Sequence, residues 1–199
     1  MRFLKKNNVK KTIIVLSDLH LGAGVFVEGK YNCLEDFYYD EELVELLNYY
    51  SSGDYSSREV ELIINGDFLD FLSVPYVKYF DDQFWSEAAS IEKLKLILQA
   101  HPEVFLAIDE FISKKNKKLV YILGNHDSEL TLPKVKDHFL RVFNKENIDS
   151  LELIDSQASI YLPHSSICLH HGHDNDHANR IDKSNCILKD SFGDLYLSP

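Results

Sequence analysis

Cysteine is scarce in this chain. Its 199 residues include only Cys33, Cys168 and Cys186. Three thiols cannot all pair, and their separations fit no metal-binding spacing. A disulfide-stapled scaffold is therefore excluded, and reduced thiols in a cytoplasmic protein are expected. Positive charge is also short. Lys and Arg number 21 against 32 Asp and Glu, a net charge of −11. Such a surface does not attract polyanions broadly, so nucleic acid is not an expected partner. Long hydrophobic runs are missing. No segment approaches the roughly 18 apolar residues of a membrane helix. The basic stretch 1–11 is followed by only Ile13 to Leu16, too short for a signal-peptide core of about 7–15 residues. Internal repeats and low-complexity linkers are absent too, so residues 1–199 read as one domain.

What the chain does have is a series of short motifs, each behind an apolar run. Asp18-Leu19-His20 follows Ile13 to Ser17, and Gly66-Asp67-Phe68-Leu69-Asp70 follows Val60 to Asn65. Gly124-Asn125-His126-Asp127 follows Leu119 to Leu123, and His170-His171-Gly172-His173 follows Ile167 to Leu169. Buried strands that deliver polar residues at their carboxyl ends are how an α/β protein assembles a site.

The rest of the chain supports that arrangement. Strands are expected at 12–17, 59–65 and 118–123, with two or three short ones near 151–155, 158–162 and 166–170. Helical spacing marks 41–50, 83–99, 102–114 and 133–143. Phe68 to Val74 reads as a short helix or turn, stopped by Pro75. Helical crossovers make successive strands parallel, which gathers Asp18, Asp67 and Asn125 at one sheet edge.

The residue types suit a metal. In an extended segment Asp18 and His20 point to the same side and could share a cation. Gly66 permits close approach, and the Asp67 carboxylate has two oxygens with which to bridge two ions. Either motif alone is also read as an ordinary turn. Asn125 offers a neutral oxygen. His126 points away from it and is better placed as an acid, with Asp127 expected to orient its ring. Asp70 either holds a backbone turn or orients a ligand. His101 and Pro102 read as a surface helix cap, and the aromatics Phe26, Tyr31, Phe37, Tyr38, Tyr49 and Tyr50 as core. Phe80, Phe84 and Trp85 are candidates for an apolar rim.

In combination and order, these motifs resemble those of the calcineurin-like metallophosphoesterases: D-x-H, G-D-x-x-D, G-N-H-[DE], H and G-H-x-H. The resemblance runs from Ile13 to about His177. The strings around Asp18, Asp67, Asn125 and His171 are most similar to the UDP-2,3-diacylglucosamine hydrolase-like branch, although that branch's lipid-A enzymes carry Arg where this chain has His126. The resemblance implies an αββα sandwich and two divalent metal ions, manganese first, with iron, zinc or magnesium as alternatives. It implies that Asp18 and His20 bind one metal, Asn125 and His171 the other, and that Asp67 bridges them. Hydrolysis of a phosphoester or pyrophosphate by metal-activated hydroxide follows, with His126 as the acid. The substrate would be a phosphorylated small molecule, nucleotide or lipid-linked compound.

One motif is missing. None of the nine histidines lies beyond His177, and Asn175 stands where G-H-x-H would need its second His. The expectation is a C-terminally incomplete domain with weakened metal binding and low activity. Substitution by His173 or His177, or a degenerate site, are the other readings. The competing functions are a nuclease or cyclic-nucleotide phosphodiesterase and a catalytically impaired scaffold.

Overall fold

The computed structural model describes residues 11–75, 87–154, 159–163, 165–176 and 179. In chain order the elements are β1 (Thr12–Leu16), β2 (Phe26–Val27), β3 (Lys30–Tyr31), α1 (Asp40–Ser51), β4 (Val60–Asn65), α2 (Glu87–Ala100), α3 (Pro102–Ile112), β5 (Lys117–Ile122), α4 (Pro133–Leu140), β6 (Leu151–Ile154), β7 (Ser159–Tyr161) and β8 (Cys168–His170). Helix starts follow local chemistry. Asp40, Glu41 and Glu42 complement the dipole of α1, while Pro102 and Pro133 preset the first turns of α3 and α4.

The apolar runs form one parallel sheet in the order β1-β4-β5-β6. Alternation along the strands splits the core in two. Val60, Leu62, Ile64, Leu119 and Tyr121 face the four helices. Ile63, Val120 and Ile122 face the antiparallel β7–β8 hairpin through Leu162, Ile160 and Leu169. The fold is thus α/β, a four-stranded parallel sheet with flanking helices. A second helix layer is not among the described residues. No described helix is long and apolar enough to cross a membrane.

Several local expectations change. The loop after β1 contains the small β2–β3 hairpin, whose two-residue strands are too short to show periodicity. Residues 68–74 form a turn, tied by a bridge between Leu21 and Leu69. Of the aromatics expected inside, Phe37 is buried, but Phe26, Tyr31, Tyr38 and Tyr49 are exposed. His101 is no surface cap. It is 3% exposed, and its Nδ1 lies 2.8 Å from Asp40 Oδ1. Phe80, Phe84, Trp85, His164, His177 and Cys186 lie outside the described residues.

Candidate metal centre

The carboxyl ends of β1, β4 and β5 meet in an unusual backbone. Asp18, His20 and Asp67 have φ of 55°, 55° and 52°, in the left-handed region that non-glycine residues seldom occupy. The two loops hold each other there. Asp18 N–H donates to the Gly66 carbonyl at 3.1 Å, and His20 N–H to the Asp67 carbonyl at 2.9 Å. The extended geometry expected of Asp18 and His20 is therefore absent, and the two side chains join different groups.

Asp67 stands at the centre and is buried. His20, Asp67 and His126 bring ligand atoms within 4.8 Å of one another, and so do Asp18, Asp67 and His171. Asp67 belongs to both groups. His171 arrives from the end of β8, with Nε2 3.1 Å from Asp67 Oδ2. Its Nδ1 must donate to the Asn65 carbonyl at 2.9 Å, because a carbonyl only accepts. That bond fixes the tautomer and turns Nε2 to the site. His20 repeats the pattern, with Nδ1 3.3 Å from Asp70 Oδ2 and Nε2 3.8 Å from Asp67 Oδ2.

His126 has a different partner from the one its sequence neighbour suggested. Its Nδ1 lies 3.1 Å from Asp70 Oδ1. Asp127 is fully buried and faces inward. It accepts from Phe68 N–H at 2.9 Å, Gly124 N–H at 2.6 Å and the Tyr121 hydroxyl at 2.5 Å. Asp127 thus braces the two loops rather than the His126 ring. Asp70 holds a backbone turn, since Oδ1 also accepts from Leu72 and Ser73 N–H at 3.0 Å each. Asn125 is buried between Gly124 and His126, and His126 N–H donates to Asp67 Oδ1 at 3.0 Å.

Two glycines make this crowding possible. A Cβ on Gly66 would sit 2.3 Å from His171 Nδ1, and one on Gly124 would sit 2.1 Å from Asp67 Oδ1. The chain has built a tight seat for a carboxylate and imidazoles that present Nε2. Mixed oxygen and nitrogen donors around a shared carboxylate fit divalent cations. His173, suggested as a substitute ligand, has its ring 5.3 Å from that of His171 and joins neither group.

A family model for calcineurin-like phosphoesterases matches residues 11–197. The chain belongs to that family. No curated protein and no solved structure matches it.

In this calcineurin-like phosphoesterase the electrostatics follow from the geometry. Among the described residues the ion partners of Asp67 and Asp70 are imidazoles. Burial opposes charge on His126, yet the Asp70 bond and the charges of Asp70 and Asp67 lift its pKa to about 9. The Asp70 bond raises His20 against the opposing effect of burial. Burial opposes charge on His171 too, but Asp67 raises it. Asp70 is held below the ordinary carboxylate range, because the two imidazoles outweigh its burial. Burial, then the charge of Asp67, push Asp127 up to about 7 against its three donors. Sequence reasoning missed Tyr121 and the Asn65 carbonyl. Only the folded register shows that Tyr121 points back under the loop it precedes.

Proposed function

We propose that this chain hydrolyses a phosphoester or pyrophosphate with two divalent cations, held by Asp18, His20, Asp67, Asn125 and His171. One observation carries the reading: Asp67 belongs to both groups of ligand atoms. His20 flanks it on one side, Asp18 and His171 on the other, and Asn125 adds a neutral oxygen. Such cations neutralise phosphoryl oxygens and make water acidic enough to act as a nucleophile near neutral pH.

The other roles belong to the chain itself. His126 is the acid. With Nδ1 engaged by Asp70, its Nε2 is left to protonate the departing oxygen. Asp70 orients both His20 and His126, and Asp127 supports the loops that carry Asp70 and His126. Residues 1–199 act as a single phosphoesterase domain. The motif strings support a place beside the UDP-2,3-diacylglucosamine hydrolase-like branch, and His126 in place of Arg separates the chain from that branch's lipid-A enzymes.

The test is calorimetric titration with Mn²⁺ together with hydrolysis of nitrophenyl mono- and diesters. Two ions bound at saturation and chelator-sensitive hydrolysis are expected. One ion, or hydrolysis indifferent to chelator, would overturn the reading.

A further inference from the structure

A cavity of about 230 Å³ opens beside the metal centre. His20, Asp70 and His126 line one part of it, and Cys33, Leu34 and Asp36 another. No described Lys or Arg lines it. The Cys33–Asp36 wall is held by its neighbours. Asn32 Nδ2 donates to the Gly24 carbonyl at 2.9 Å, and Asn32 Oδ1 accepts from Leu34 N–H at 3.1 Å. The buried Glu35 carboxylate accepts from Gly22 and Phe37 N–H at 3.2 Å each, and from Gly24 N–H. A Cβ on Gly22 would sit 2.6 Å from Glu35 Oε2, so only glycine leaves room for this clasp. Glu35 thereby ties the wall to the loop that carries His20. Asp36 projects from a fixed support.

The wall's chemistry is one-sided. Asp36 brings a carboxylate with no cationic partner among the described residues, and Tyr31 and Tyr38 stand in the same stretch, 62% and 57% exposed. The Tyr38 hydroxyl donates to the Glu35 carbonyl at 2.5 Å. Asp36 itself lines the cavity, and a carboxylate there attracts ammonium groups and repels anions.

We propose that this cavity receives the leaving group of the substrate and favours one bearing an alkylammonium over one bearing a negative charge. The proposal rests on the phosphoesterase reading and narrows its substrate class. Water's oxygen bonds to phosphorus as the P–O ester bond breaks, and His126 gives the departing alkoxide its proton. The cationic alcohol is released into the cavity.

Two measurements test this. With Mn²⁺-loaded protein, kcat/KM for choline phosphate should exceed that for 3-phosphoglycerate. The ratio should fall about fivefold in Asp36→Asn and further in Asp36→Lys. A ratio that neither substitution moves overturns the proposal. Cys33 gives a second readout that needs no catalysis, because its exposed thiol lines the same cavity. Its reaction with cationic and anionic methanethiosulfonates is followed by peptide mass and normalised to a free thiol. The cation-to-anion rate ratio should fall about fivefold in Asp36→Asn. An unchanged ratio overturns the proposal whatever the enzyme hydrolyses. If the ratio falls but no phosphate ester is cleaved, the phosphoesterase reading fails while the cavity's preference for cations stands.

Discussion

The two ends of the same four strands treat charge in opposite ways. At the amino ends, cations are matched within the protein. Lys11 Nζ lies 2.9 Å from Glu61 Oε2, and Lys117, 2% exposed, donates to the Tyr55 and Arg58 carbonyls and to Asn116 Oδ1 at 3.0 Å each. At the carboxyl ends the ion partners of Asp67 and Asp70 among the described residues are imidazoles, and Asp18, His20 and Asp67 stand on left-handed backbone around glycines that admit no Cβ. The larger of the two cavities, about 640 Å³, is at the amino ends, where Lys11 is paired with Glu61 and Lys117 with carbonyl and amide oxygens. Size therefore does not locate the site. The informative end is the one whose charges call for something from outside, and where local rules of backbone and packing are broken.

The sharpest way to break the contrast is Asp67→Ala. Both ligand groups lose their common member, so metal content should fall from two ions toward none. Phosphate release should drop about a thousandfold or more, the several kcal/mol expected of metal-ion catalysis. Gly124→Ala comes next. Its Cβ must displace the Asp67 carboxylate, and metal affinity should fall about 10- to 100-fold while the circular dichroism spectrum is kept.

Third, Asp70→Asn removes the negative charge that faces both His20 and His126 and replaces one of its two acceptor oxygens with a donor. The sign of the accompanying pH effect is set by their raised pKa values. In the metal-free protein His126 contributes stability fully present below about 6.5, the ordinary histidine value, and lost as pH rises through about 9. Its Tm should therefore fall across that window. Mn²⁺ affinity should rise across the same window, with protons released on binding. Asp70→Asn should flatten both trends, and calorimetry in two buffers reads the proton release. The mildest change is at the other end. Lys117→Met leaves the Tyr55 and Arg58 carbonyls short of a donor and should cost about 2 kcal/mol in denaturant unfolding. It should leave Mn²⁺ stoichiometry untouched. A loss of metal there would erase the distinction between the two ends.

Much of this was legible in the sequence, for a physical reason. Buried parallel strands are apolar on both faces, so β4 and β5 announce themselves as short hydrophobic runs, as does the half-buried β1, and the motifs mark where those runs stop. Partnerships inside the site were harder to read. Adjacency suggested Asp127 for His126, but the turn sends the Asp127 carboxylate beneath the loop to Tyr121, and Asp70, 56 positions away, takes its place. Burial of polar groups was harder still. Lys93 and Glu129 form a buried ion pair at 3.6 Å, although their residue types favour solvent. The exposed Phe26 and Tyr31 err in the other direction, because hydrophobicity alone does not tell a surface hairpin from the core.

The β7–β8 hairpin gives the centre a history as well as a shape. Asp18, His20, Asp67 and Asn125 all lie on the parallel sheet's strand ends, but His171 comes from the segment that packs on the opposite face. During synthesis β1, β4 and β5, with Asp18, His20, Asp67 and Asn125 at their ends, are made more than forty residues before His171 leaves the ribosome. A nascent chain therefore passes through a stage with Asp67 in place and one flank open. Arrival of the hairpin brings His171 to Asp67, and under the proposed reading a cation held between them would fasten the last-made part of the fold to the first.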